Sequence, residues 1–171
     1  MSSLAMRLAD DEQSAWAELY DATANSLFHY VTVLAGDRDA SAEILQEVFV
    51  RLFRHRDRLR NVDDLNAFVF AVTRNETNRW LSQKSRRPKS MELGEHLDRQ
   101  ATDSYAEDTE LLQLTLQKLS AEDREIIHLK IYSELTFSQI ADVLELPIGT
   151  CASRYRRTIS KLRSSIQEQI G

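Results

Sequence analysis

Turn-forming residues and cysteine are scarce in this sequence of 171 residues, which has four glycines, two prolines and one cysteine. Glycine plus proline makes up roughly 12% of an average chain, so their scarcity argues against β-rich folds, which need turns every few residues. It also excludes collagen-like and glycine/proline-rich disordered chains. The single Cys151 cannot form an internal disulfide, as is typical of the reducing cytoplasm. The composition predicts a soluble, cytoplasmic, all-α chain.

Several classes of functional site are also missing. No apolar run is long enough to span a membrane, and residues 1–11 do not match a secretory signal. The four histidines are scattered, so no metal site is expected. The isolated glycines form no phosphate or dinucleotide loop, and no nucleophile turn is present. We therefore expect no catalytic residues and no cofactor.

Net negative charge is the feature of the composition that argues against a nucleic-acid partner. The formal charge is −5, whereas a basic footprint is the usual sign of nucleic-acid binding. The stretch between Glu145 and Glu168 nevertheless contains no acid and has five cations. Whether the chain can bind nucleic acid therefore depends on where its charges lie rather than on their sum.

Helical periodicity accounts for most of the first half of the chain. Apolar stripes at helical spacing run through residues 11–34, 44–53 and 65–80, and they predict three helices with one common core. Four aromatic residues belong to the first two stripes and are expected in that core: Trp16, Tyr20, Phe49 and Phe53.

A change of composition divides the chain after residue 82. Residues 83–105 contain Pro88 and Gly94 but no sustained apolar face, which is typical of a linker. A structureless loop of this length is unusual inside one compact domain. We predict two small helical domains, residues 1–82 and 106–171, joined by a flexible linker at 83–105.

The second domain has the outline of a helix-turn-helix. Thr136-Phe-Ser-Gln139 is a capping sequence, in which the Thr and Gln side chains satisfy each other's free backbone amides. A helix of about two turns, a tight turn at 145–150 and a long helix to about Ile166 follow.

The long last helix separates into a packed side and a basic side when its residues are placed 100° apart. The residues on the packed side are Cys151, Tyr155, Thr158, Ile159, Leu162 and Ile166. The guanidinium groups of arginines on the opposite side can form paired hydrogen bonds with guanine edges in the major groove. The free backbone amides at the start of a helix can bind a phosphate. The alternative is a solvated basic face for an acidic protein partner. The candidate DNA contacts are Thr150, Ser153, Arg154, Arg156, Arg157 and Lys161.

Two further basic clusters flank the third predicted helix, at residues 51–60 and 74–89. Cations beside amide side chains and Trp80 can hold unpaired bases by stacking and hydrogen bonding. The alternative is that Trp80 belongs to the core and the arginines are ordinary surface residues.

In their order and spacing, these segments resemble the bacterial sigma factors of the extracytoplasmic-function group, over nearly the whole chain. Glu43-Ile-Leu-Gln-Glu-Val-Phe49 and Arg51-Leu-Phe-Arg54 are similar to the family's "DLVQEVF" and "RLWR" segments, and Val72-Thr-Arg-Asn75 to part of its "WLFRIARN" segment. Residues 119–127, 137–144 and 146–150 resemble its −35 reading domain.

The resemblance implies a transcription-initiation factor that binds core RNA polymerase and promoter DNA as a monomer, and that an anti-sigma factor sequesters. The helix that carries Glu43, Gln46 and Glu47 would bind the β′ clamp of polymerase. The connector at residues 58–64 would help to capture a flipped −10 base. Together with the basic cluster, the −10 candidates are Arg58, Arg60, Asn61, Asp63, Arg74, Asn75, Asn78 and Arg79.

Two departures from the family pattern bear on promoter choice. Cys151 and Ala152 stand where the family usually has Val-Lys, and Arg79 stands where it usually has Asp. A stand-alone helix-turn-helix regulator remains the second interpretation, and it would have to dimerise on a palindromic site. A pure protein-interaction module is the third.

Overall fold

The computed structural model describes residues 3–86 and 115–171, and both parts are helical. The first part contains α1 (Leu4–Ala9), α2 (Gln13–Ala35), α3 (Arg38–Arg54), a 3₁₀ segment (Arg56–Asn61) and α4 (Leu65–Arg86). The second contains α5 (Ala121–Ile127), a π-helical turn (His128–Tyr132), α6 (Phe137–Leu144) and α7 (Ile148–Ile170). Neither part has a strand, so the prediction of an all-α chain with two helical domains is confirmed.

Local capping explains why α2 and α3 are separate helices. Gly36 ends α2 with a φ of 69°, a left-handed conformation that glycine adopts without steric cost. Asp37 then begins α3, because its carboxylate accepts hydrogen bonds from the backbone N–H groups of Asp39 and Ala40. The two helices consequently fold back on each other and pack side by side.

Helix α4 continues beyond the predicted end of the first domain. The composition places the end of that domain at residue 82, but α4 continues to Arg86. Lys84 and Arg86 lie in its last turn, where positive charge interacts favourably with the helix dipole. The Lys84 ammonium also lies 4.9 Å from the centroid of the Trp80 ring. Most of the predicted linker at 83–105 lies outside the described residues.

The two helical domains share one continuous apolar core. Leu27, Val48 and Phe70 of the first domain and Ile126 and Ile140 of the second belong to the same cluster of buried side chains. Helix α5 packs against α2, and α6 packs against α4. The second domain therefore lies directly on the helix that carries half of the −10 candidates.

Candidate DNA and protein interfaces

The helix-turn-helix forms as its local sequence predicts. The Thr136 hydroxyl accepts the Gln139 N–H at 3.1 Å, and the Gln139 side-chain oxygen accepts the Thr136 N–H at 2.9 Å, so the predicted capping box is confirmed. Glu145 ends α6 in a left-handed conformation with a φ of 55°. Pro147 then starts α7, because its fixed φ suits a helix terminus.

The packed and basic sides of α7 largely lie as predicted, although Tyr155, Ile159 and Ile166 of the packed side are half-buried. Cys151, Thr158 and Leu162 are buried, and Arg156 and Arg157 are exposed. Ser153 is half-buried rather than fully outward. The backbone N–H of Thr150 donates to the Pro147 carbonyl at 2.9 Å. This amide is therefore bonded within the first turn of α7, and a DNA contact at Thr150 stays a prediction.

Two of the predicted DNA-binding cations are paired with acids of α5. Arg154 lies 3.3 Å from the Glu122 carboxylate, and the Lys161 ammonium lies 2.9 Å from the Asp123 carboxylate. Burial alone would raise the pKa of Asp123, but hydrogen bonds, led by the one from Lys161, lower it below its ordinary value. These pairs hold two flanking cations against the protein, whereas Arg156 and Arg157 extend from the exposed front of α7.

The −10 candidates are spread over the 3₁₀ segment and α4. Arg58 and Asn75 line one cleft of about 270 Å³, which Phe68 and Val72 also border. Arg60 forms an ion pair with Asp10. The remaining candidates on this surface are all exposed: Asn61, Asp63, Asn78 and Arg79. Trp80 is half-buried and packs against the core, so its indole is only partly available for stacking.

Arg74 differs from the other −10 candidates because its guanidinium group is bound by a carboxylate of the second domain. Its Nε and Nη2 donate to the two carboxylate oxygens of Glu125, at 2.8 and 3.4 Å. The Tyr30 hydroxyl donates to the same carboxylate at 2.6 Å. The hydrogen bond to Glu125 raises the pKa of Arg74, and burial followed by the Glu125 charge raises that of Tyr30. Arg74 thus remains a cation.

The polymerase-binding candidates occupy the outer face of α3. Glu43, Gln46 and Glu47 are exposed there, while Ile44 and Val48 on the opposite face are buried in the core. The spacing that the sequence shows therefore gives a continuous acidic surface on one side of the helix.

Next to this acidic surface runs an apolar groove that sequence reasoning missed. The predicted burial of Tyr20 and Phe53 in the core is wrong, since 53% and 44% of their surfaces are exposed. Leu19 already points into the core, and Tyr20 lies 100° further around α2. Tyr20 packs on Phe49 at 5.1 Å and Trp16 on Phe53 at 5.4 Å between ring centroids, lining a groove of about 640 Å³. The four aromatic residues on the first two apolar stripes are the sequence feature that could have indicated this groove.

Other classes of site are not found in the described part of the chain. Residues 3–86 and 115–171 hold no group of three histidine, cysteine or acidic side chains able to bind a metal ion. No helix within those ranges has the length and hydrophobicity needed to cross a bilayer.

Both domains match known families. The family model described as sigma-70 region 2 matches residues 19–87, and that described as sigma-70, region 4 matches residues 109–162. The ECF RNA polymerase sigma factor SigL of Mycobacterium tuberculosis is 26% identical over 166 residues, which cover 92% of each chain. The ECF RNA polymerase sigma factor SigK of Mycobacterium bovis is 24% identical, over 97% of this chain and 93% of that protein.

Two solved structures share the fold over most of the chain. CnrH in complex with the cytosolic domain of CnrY is 20% identical, with a TM-score of 0.68 over 96% of each chain. The sigma factor RpoE of Bartonella quintana in complex with the anti-sigma factor NepR is also 20% identical, with a TM-score of 0.73 over 88% of this chain and 96% of that one. With regions 2 and 4 in family order and relatives that align over nearly their full length, the chain belongs to the sigma-70 family, as a sigma factor of the extracytoplasmic-function group.

Proposed function

We propose that the chain binds core RNA polymerase in the cytoplasm and directs it to promoters, with residues 1–82 serving the −10 element and polymerase, and residues 106–171 the −35 element. One observation supports this most: a helix-turn-helix with an arginine-bearing exposed front is combined, in one chain, with an acidic and aromatic surface on a second domain. The role is regulatory rather than catalytic.

At the −35 element, Arg156 and Arg157 supply the base contacts. Both guanidinium groups are exposed on the front of α7, and each fork can pair with the O6 and N7 atoms of a guanine. Thr150, Ser153, Arg154 and Lys161 flank them and serve phosphate contacts that fix the register of the helix.

At the −10 element, the 3₁₀ segment and the exposed side of α4 hold unpaired bases. The cleft between Arg58 and Asn75 offers a cation and an amide beside the apolar edges of Phe68 and Val72. Such a lining suits one flipped base, whose unstacking costs a few kcal/mol and is offset by the new contacts. The exposed candidates Asn61, Asp63, Asn78 and Arg79 surround this position along the strand, and Arg60 and Arg74 contribute once their carboxylate partners are displaced.

Polymerase binds the acidic surface of Glu43, Gln46 and Glu47 and the aromatic groove beside it. Exposed carboxylates steer a basic partner and fix its register, while aromatic side chains in an apolar groove give the desolvated anchors that dominate binding energy. The combination suits a partner segment with basic and apolar residues, which in this family is the β′ clamp.

An anti-sigma factor is a further partner. RpoE was solved with the anti-sigma factor NepR, and CnrH with the cytosolic domain of CnrY. The full-length likeness of fold supports an equivalent complex for this chain, in which the partner sequesters the free factor.

Promoter selection from random DNA by reconstituted polymerase tests the function as a whole. We expect core polymerase with this chain to enrich an asymmetric two-part sequence. Arg156→Ala with Arg157→Ala should lower transcription from that promoter about 100-fold, since each bidentate guanine contact contributes roughly 1–3 kcal/mol. Lys118→Ala, which removes an exposed cation outside α7, is the matched control.

The outcomes separate the three interpretations. Enrichment of a palindrome without polymerase would identify a stand-alone dimeric regulator. No DNA selection, with or without polymerase, would identify a protein-interaction module.

Polymerase binding is tested separately by reversing one charge. Glu47→Lys should weaken binding of the chain to core polymerase about tenfold, because a like charge replaces a favourable contact. Glu168→Lys makes the same charge change on an exposed position of the other domain and should have no effect. Equal affinities for both variants would remove α3 from the interface.

A further inference from the structure

The contact between the two domains is built around one buried carboxylate. Glu125 on α5 is only 6% exposed, yet it accepts hydrogen bonds from Tyr30 on α2 and Arg74 on α4. A buried acid without partners is strongly destabilising, so the position of α5 is tied to both helices of the other domain. Both hydrogen bonds to Glu125 exist only while the domains are in contact, and separation exposes the carboxylate to water.

Additional polar contacts link the two domains. The Gln139 amide of α6 donates to the Asp64 carboxylate at 2.9 Å, and the same carboxylate caps the start of α4 through the N–H of Ala67. The Ser26 hydroxyl of the first domain also lies 3.2 Å from the Ser133 hydroxyl of the second. The interface therefore has a defined register rather than being a loose apolar contact.

The closed arrangement is incompatible with simultaneous reading of two promoter elements. A compact chain of this length has a radius of gyration of about 16 Å and is about 40 Å across. Positions −10 and −35 lie about 85 Å apart at 3.4 Å per base pair. Since α6 packs directly on α4, the two DNA-binding surfaces cannot reach both elements until the domains separate.

We propose that Glu125 is an autoinhibitory latch, which occupies Arg74 with a carboxylate in place of a promoter phosphate and holds the free chain closed. The inference rests on the proposed function for its consequence in transcription, but not for the closed state itself. Core polymerase and promoter must supply the free energy that breaks the Glu125–Arg74 and Glu125–Tyr30 hydrogen bonds. Activity at a given polymerase concentration is consequently reduced by the closed fraction.

Weakening the latch should open the free chain and raise its activity. Glu125→Gln keeps the shape of the side chain but removes the charge that Arg74 requires. We expect small-angle X-ray scattering to give a radius of gyration several ångströms larger than that of the wild type. Half-maximal transcription should need an approximately tenfold lower concentration of the variant chain, the factor typical of one charge-assisted hydrogen bond. Glu168→Gln is the charge-matched control. Tyr30→Phe, which removes a single hydrogen bond, should act in the same direction if Glu125→Gln does not fold.

A reversible crosslink tests the same proposal from the opposite side. Ser26→Cys with Ser133→Cys should form a disulfide that locks the domains together, and Cys151 is buried and does not compete. The oxidised chain should lose transcription and recover it on reduction, while either single variant stays active.

The latch is refuted if the wild-type chain is already expanded, if Glu125→Gln leaves both its size and its activity unchanged, or if the oxidised double variant transcribes like the reduced one. Failure of the wild-type and reduced chains to support any transcription would instead contradict the proposed function, and the scattering comparison would still decide whether Glu125 holds the domains closed.

Discussion

The stability of the closed chain should fall in mildly acidic solution because of one buried histidine. His128 is 9% exposed and stacks between Tyr30 and Tyr132, with ring centroids at 5.8 and 4.8 Å. Its Nε2 has no hydrogen-bond partner among the described residues. Burial, with a smaller contribution from the charge of His29, lowers the pKa of His128 from 6.5 to about 4, although a hydrogen bond to the backbone of Ser26 opposes the shift.

The sign and size of the effect follow from linkage. The unfolded chain takes up this proton near pH 6.5, whereas the folded chain resists until about pH 4. Stability is therefore complete above pH 6.5 and declines as pH falls towards 4. At 1.36 kcal/mol for each pH unit between the two pKa values, the total loss is about 3 kcal/mol. The carboxylates whose pKa values are lowered, Glu12 and Asp123, lose their contributions mainly below this window.

Urea unfolding of the full chain between pH 7.5 and 4, followed by circular dichroism, measures this loss. His128→Phe keeps an aromatic ring between the two tyrosines but cannot be protonated, so its free energy of unfolding should fall much less from pH 6.5 to 4.5 than that of the wild type. The remaining decline comes from His29, whose pKa is also lowered, first by burial and then by the charge of Arg38. His55→Gln, at an exposed position, should behave like the wild type. If His128→Phe loses stability as steeply as the wild type, burial of a neutral His128 is not the cause.

Three substitutions test the turn, the cap and the groove. Glu145→Gly should raise the free energy of unfolding by about 1 kcal/mol, because a left-handed φ strains residues other than glycine; an unchanged urea midpoint would contradict this. Thr136→Ala should lower it by about 1 kcal/mol through loss of the capping box, and no loss would mean that packing alone holds α6. Tyr20→Ser should reduce affinity for core polymerase about tenfold while leaving the melting temperature within a few degrees, because this ring is mostly exposed; unaltered affinity would exclude the groove from the interface.

The helix-turn-helix could be predicted from the sequence because its determinants are local. Thr136 and Gln139 are three residues apart, and the turn at 145–147 follows α6 directly. The buried and exposed sides of α7 also follow from helical geometry alone. Within one helix, the position of a residue in the sequence determines which face it lies on. Prediction and structure therefore agree that Cys151 is buried and that Arg156 and Arg157 are exposed.

The groove and the latch could not be predicted, since they depend on how helices meet. Periodicity assigns Tyr20 and Phe53 to apolar stripes, but only the packing of α2 against α3 decides that they line the rim rather than the core. Glu125 lies 51 residues from Arg74 and 95 from Tyr30. In the sequence it is an ordinary acid on a helix, and nothing local marks it as buried.

The net charge of −5 acquires a structural meaning from these contacts. Two of the five cations in the acid-free stretch of α7 are paired with Glu122 and Asp123 of α5, and Arg74 is paired with Glu125. The free chain thus has fewer unpaired cations available to DNA, and its net negative charge repels DNA at long range. Phosphate contacts provide most of the non-specific affinity of DNA-binding proteins, so a closed, net-acidic factor binds DNA weakly by itself. If polymerase binds the proposed surface around α3, it can both separate the domains and supply the missing affinity, and promoter recognition would then be confined to the assembled holoenzyme.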